Sequence, residues 1–183
     1  MPRVPVLGRD ALPENLRPLW DRMRAYGPFE SQAGVMANRL PVFAHIWGLL
    51  TQLADEAVLD RRSLELAIIA VSLVNSCPYC VGQHAPKLAV AGLALDGVET
   101  LDDLRAHPAL TARDRLVVDY AVAVTTDWHR IRDQMFVELK QHFSDAQLVE
   151  LTWRIALCGA FNRFNDVLRV EEGLEHDQAQ AAS

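Results

Sequence analysis

Beyond Pro108 the sequence contains no proline, and over 109–183 only Gly159 and Gly173 interrupt it. Proline and glycine are the residues that most disfavour a helix interior, so this part of the chain is free to be helical over long windows. Strict apolar/polar alternation bounded by turn residues is missing too, which excludes β-hairpins. No apolar run approaches the roughly 20 residues needed to cross a bilayer. The longest, Leu66–Val74, has Ser72 inside it and Glu65 at its start. Basic residues are in the minority, 18 Lys+Arg against 24 Asp+Glu, for a formal net charge of −6 and a pI near 5.5. Nucleic acid and anionic membrane both need a basic face, so neither is expected as a partner. Cysteine is scarce: Cys77, Cys80 and Cys158, an odd number in a chain large enough to fold without disulfide staples. The segment Met1–Asp10 lacks the apolar core of a signal peptide, and a reducing, cytoplasmic location is the expectation.

What remains is the composition of a globular domain, 50% hydrophobic and 23% charged, with a mean hydropathy of +0.03. Leu116, Val117, Tyr120, Ala121 and Val124 recur at the spacing of a buried helix face. Leu148, Leu151, Trp153, Ile155, Ala156 and Cys158 mark a more thoroughly buried helix. The fold class is all-α, a bundle of about seven helices. One runs from Pro13 to about Tyr26, one covers Glu30–Asn38, and one runs from Pro41 to about Leu53. Arg62–Asn75 carries Glu65, and Pro78 to about Ala91 is closed by Gly92. Thr111-x-x-Asp114 and Ser144-x-x-Gln147 read as capping boxes that start the last long helices, with Arg132–His142 between them.

Leu64-Glu65-Leu66 and Val149-Glu150-Leu151 echo one another, which suggests two copies of a helix pair. Trp47, Trp128, Trp153 and Cys158 read as core. His45, His107, His129, His142 and His176 read as surface or packing residues, and Asn162, Arg163 and Asn165 as a buried polar cluster or an interface. Gly34, Met36, Trp47, Leu49 and Leu50 lie in segments rich in apolar surface, which points to an oligomer.

The chemistry lies in Glu65-x11-Cys77-Pro-Tyr-Cys80-x3-His84. Pro78 favours the first helical position, which puts Cys77 at the N-cap and Cys80 in the first turn. Unpaired N–H groups and the helix dipole favour a thiolate there, so a pKa below the ordinary ~8.5 is expected. His84 is four residues on, on the same face, within reach of the Cys80 sulfur as a base. If the two helices form an antiparallel hairpin about Asn75-Ser76, Glu65 comes near His84, bridged by a water. A carboxylate in so apolar a helix is costly to bury without a partner. Zinc needs two ligands beyond a C-x-x-C, and no second C-x-x-C or H-x-x-x-H exists, so neither metal nor cofactor is expected.

This motif, with Ala89-Val-Ala-Gly92-Leu after it, resembles the alkylhydroperoxidase D-like branch of the carboxymuconolactone decarboxylase superfamily. Arg115-Leu-Val-Val-Asp-Tyr-Ala121, Ser144–Leu151 and Phe161-Asn-Arg-Phe-Asn165 are similar to that family too. The resemblance implies a 1–40 helical extension, a 41–172 core and a 173–183 tail without fixed structure. It also implies a homo-oligomeric thiol peroxidase acting on organic hydroperoxides. Cys80 would attack the peroxide, Cys77 would resolve the sulfenic acid, and Glu65 and His84 would relay the proton. A dithiol donor of lipoyl or thioredoxin type would reduce the disulfide. The family tends to carry His between the cysteines, where this chain has Tyr79. Lactone decarboxylation, the superfamily's other named activity, and a non-catalytic redox-sensing or partner-binding role are the alternatives.

Overall fold

The helices follow the punctuation of the sequence. In the computed structural model, which describes residues 2–170, they are α1 (Arg17–Tyr26), α2 (Glu30–Met36), α3 (Leu40–Glu56), α4 (Arg61–Val74), α5 (Pro78–Val90), α6 (Leu101–Ala106), α7 (Ala112–Thr126), α8 (Asp133–Leu139) and α9 (Asp145–Leu168). Short 3₁₀ turns cover Arg9–Ala11, Glu14–Leu16 and Trp128–Arg130, and no strand occurs among the described residues. The tail expected at 173–183, with His176, lies outside the described residues.

Where the helices begin, the caps explain it. Asp60 accepts from the Ser63 N–H at the start of α4, and Thr111/Asp114 form the expected capping box of α7. Ser144 and Gln147 bond reciprocally at the start of α9. Two features differ from expectation. The six-residue α6 is too short to show periodicity, although Thr100 and Asp103 cap it with the same kind of box. And α9 runs unbroken through residues 160–162, where a second helix pair would turn, so the echo is one of composition and not of architecture.

Residues 58–163 form one compact unit. At its centre lies α4, whose residues Ser63–Ser72 are all buried, and which packs mainly on α5 and α7. Leu66, Ile69, Val117, Leu139 and Leu151 are fully covered in its core. From α9, Leu148, Leu151, Ile155, Cys158 and Asn162 form the buried face. Trp153 and Trp128, expected in the core, are instead 50% and 60% exposed. Trp153 lies between Leu151 and Ile155 in sequence, so it turns away from the face those two share.

Of the described residues, 2–57 and 164–170 belong to the other unit. Its aromatic cluster joins Trp20 to Phe43 and Phe29 to Trp47, with ring centroids 6.0 and 5.6 Å apart. Leu7 N–H donates to Gly34 O, and a Cβ at Gly34 would lie 2.6 Å from the Leu7 carbonyl, so only glycine admits this approach. Gly34, Met36, Trp47 and Leu50, expected to present surplus apolar surface, are covered within the chain.

In the 58–163 unit Asp114 ties α7 to α4. Arg62 meets both its oxygens, at 3.0 and 2.8 Å, and Thr111 Oγ1 donates to Oδ2 at 2.7 Å. Burial works against the Asp114 carboxylate, but the bonds from Arg62 and Thr111 prevail and hold its pKa at about 2, against an ordinary 3.8. A carboxyl whose pKa is lower folded than unfolded contributes stability that is complete above about pH 4 and fades as the pH falls toward 2. Acid unfolding followed by circular dichroism is expected to show that loss, and Asp114→Asn to flatten the profile in the same window. An identical acid profile in the variant would disprove the linkage.

Candidate active site

The site is built on the turn between α4 and α5. Asn75 caps α4, Ser76 takes a left-handed φ of 52°, and Cys77 is extended at the N-cap of α5. Cys77 N–H donates to Ser72 O at 2.9 Å, which closes the turn. Pro78 occupies the first turn of α5, where its missing N–H costs nothing. Cys80 thus falls in the first turn and His84 one turn on, as the spacing predicts.

Glu65 is fully buried on α4. Its Oε2 lies 2.5 Å from His84 Nδ1, a direct bond where a bridging water was expected. Arg61, one turn before Glu65, places Nε 3.1 Å from Oε1. Burial acts to raise the Glu65 carboxyl, but the His84 bond and the charges of Lys87 and Arg61 hold it below the ordinary carboxylate range. His84 is held below its ordinary pKa, chiefly by burial, against the pull of Glu65. At neutral pH the pair is therefore a carboxylate and a neutral imidazole. Nδ1–H donates to Glu65, which leaves Nε2 as the basic nitrogen. Lys87, on α5 one turn beyond His84, is pushed down to about 7 by burial.

Cys77 and Cys80 are buried and both are free thiols. The helix start does not depress the Cys80 pKa as expected; it is raised. The hydrogen bond of its S–H to Cys77 contributes most, followed by burial and the nearby Cys158 thiol. One neighbour acts in the opposite sense. Asn162 of α9 donates from Nδ2 to Cys80 Sγ at 3.1 Å.

Cys158 is core, as expected, with Sγ 3.5 Å from Ser72 Oγ and its pKa pushed up to about 12 by burial. Tyr79 is buried between the two cysteines. Among the described residues no group of three or more His, Cys, Asp or Glu is placed to hold a metal ion.

The structure thus joins Glu65 to His84, and Cys77 to Cys80. It adds Arg61, Lys87, Asn75 and Asn162, to which the sequence reading assigned no chemical role. Asn162 had a signal: a polar residue on the buried face of α9 demands a partner. Asn75, Ser76 and Cys77 sit in a turn whose contacts periodicity does not report.

Residues 41–101, which include Glu65, both cysteines of the motif and His84, match the model of the carboxymuconolactone decarboxylase family. This segment of the chain is thus similar to the carboxymuconolactone decarboxylase family. Similar to the chain over most of its length is the uncharacterized protein YnjA of Escherichia coli K12, 26% identical over 167 residues, 87% of this chain and 88% of that one. The crystal structure of an uncharacterized peroxidase-related protein from Ralstonia eutropha JMP134, described as an alkylhydroperoxidase AhpD core, superposes with a TM-score of 0.70. It is 22% identical, and the match covers 92% of this chain and 90% of that one. The chain therefore has the alkylhydroperoxidase D-like fold. Among its described residues no helix is long and apolar enough to cross a membrane.

Proposed function

We propose that the protein is a thiol peroxidase that reduces organic hydroperoxides with electrons from a dithiol. The observation that carries this reading is the buried Glu65–His84 hydrogen bond on the two helices that flank the Cys77/Cys80 dithiol. A thiol held protonated needs a base before it can act as a nucleophile. A neutral imidazole oriented by a carboxylate is such a base. In the proposed cycle His84 Nε2 takes the Cys80 proton. The thiolate attacks the distal peroxide oxygen, the O–O bond breaks, and the alkoxide takes the proton from His84 and leaves as alcohol. Cys80 is now a sulfenic acid. Cys77 condenses with it, forming the disulfide and releasing water. A lipoyl- or thioredoxin-type dithiol returns both cysteines to thiols and is itself oxidised. Incubation with cumene hydroperoxide and a dithiol should give many turnovers per chain, and none with Cys80→Ser. Undiminished turnover in that variant would refute the reading.

The burial and the raised pKa of Cys80 favour one other reading, a redox-responsive protein that changes a partner or interface once oxidised. It predicts consumption of about one peroxide per dithiol and then arrest, with dithiol still in excess. Lactone decarboxylation leaves the dithiol without a task, and decarboxylase activity that survives replacement of both Cys77 and Cys80 would identify it.

The proposed enzyme is a homo-oligomer. Val149 and Trp153, one turn apart on α9, are 71% and 50% exposed. Bulky side chains on one face of a helix are commonly buried by a second copy. Light scattering at micromolar concentration should return a multiple of 20.4 kDa, and Trp153→Glu should lower it. A monomer mass for the parent chain would refute the assembly.

A further inference from the structure

Asn162 stands outside the segment that the family model matches, yet its amide touches the dithiol. Its orientation follows from its neighbours. Ser72 Oγ donates its only proton to Ile68 O, at 2.7 Å. Toward Asn162 that hydroxyl can only accept, so it faces Nδ2, at 3.5 Å. The same Nδ2 lies 3.1 Å from Cys80 Sγ. On the other side, Asn162 Oδ1 accepts from Asn75 Nδ2 at 2.9 Å, the residue that caps α4. Both ends of the amide are therefore engaged, and one N–H points at the sulfur. Asn162 is buried, with 3% of its surface exposed, so water does not compete for that bond.

A donor aimed at sulfur favours the charged thiolate over the neutral thiol. Cys77 at the same helix end and Cys158 on α9 favour the protonated form of Cys80, and His84, one turn on along α5, is the base of the proposed cycle. Asn162 acts the other way from the two cysteines. We propose that Asn162 is a positioning residue for Cys80, holding its sulfur in place and stabilising the thiolate through the Nδ2–H bond. The consequence for turnover rests on the peroxidase reading; the effect on the thiol does not.

The test is the pH dependence of Cys80 alkylation by iodoacetamide, read by mass spectrometry, in full-length Cys77→Ser protein with and without Asn162→Ala or Asn162→Asp. Loss of a hydrogen bond to a charged group should move the Cys80 midpoint to higher pH by about one to two pH units. A midpoint that stays within about 0.3 pH units, even with a lower melting temperature, would make Asn162 merely structural and overturn the proposal. Should both variants fail to fold, the parent chain decides. The Asn162 side-chain amide resonances should follow the Cys80 titration in nitrogen-15 spectra, and resonances that ignore it would overturn the proposal. Absence of peroxide turnover together with a shifted alkylation midpoint refutes the peroxidase reading and leaves the role of Asn162 standing.

Discussion

Replacing Glu65 with glutamine is expected to lower kcat/KM for cumene hydroperoxide by about 10²–10⁴-fold at neutral pH. Glutamine has the shape of glutamate, and its Oε1 can still accept from His84 Nδ1–H, so the imidazole keeps its place. What disappears is the charge that makes Nε2 basic and would steady the imidazolium. Stability should change little by comparison. A neutral amide is cheaper to bury than a carboxylate, which offsets the lost pairing with Arg61 and Lys87. The expected signature is a large fall in rate with a melting temperature close to the parent's. The pH profile adds a sign. Activity should rise with pH as His84 loses its proton, and burial places that limb below the ordinary histidine range. Glu65 acts to raise the His84 pKa, so Glu65→Gln should move the limb to still lower pH. A variant within about threefold of the parent would remove Glu65 from the relay.

The second large effect is which sulfur carries the sulfenic acid. After one equivalent of peroxide, a dimedone-type reagent should label Cys80 in Cys77→Ser protein. It should give little label at Cys77 in Cys80→Ser protein. Cys80 is the thiol with an amide donor on its sulfur and a histidine one turn ahead on its own helix. Cys77, at the N-cap, accepts the Cys80 S–H in the reduced state, and in the proposed cycle it would condense with the Cys80 sulfenic acid. In the proposed cycle, the proton that Cys80 holds at rest would limit stray oxidation until His84 removed it. The reverse labelling would assign the attack to Cys77 and leave the Asn162 bond without a part in the chemistry.

The pairing of Glu65 with His84 was legible because burial leaves a carboxylate few choices. An acidic residue inside Leu64–Val74 must find a cationic or hydrogen-bonding partner. The C-x-x-C-x3-H spacing puts one such partner on the next helix. The distance was not legible: a water bridge was expected, and the two helices approach closely enough for a direct 2.5 Å contact. The Cys80 pKa was misjudged for a related reason. Helix position is a property of sequence, and it favours the thiolate. The hydrogen bond to Cys77, three residues away, contributes most; burial by the surrounding helices and the approach of Cys158 are tertiary, and with it they prevail.

The all-α class, the start of α5 at Pro78 and the capping boxes at Thr111 and Ser144 follow from local rules. Proline geometry, cap hydrogen bonds and helical periodicity act within a few residues of one another, so the linear order of residues is enough to read them. Trp128 and Trp153 show where such rules stop. Hydrophobicity says that an indole prefers burial, but which face of α9 meets the core is set by Leu148, Leu151, Ile155 and Cys158 acting together, and Trp153 is left outside. Asn162 shows the same limit at the site. It is 82 positions from Cys80 in sequence, and their contact exists because α4, α5 and α9 pack so as to bring Ser72, Cys80 and Asn162 together. Long-range contacts of this kind are fixed by the packing of whole helices, a sum over many weak apolar contacts that no short motif encodes.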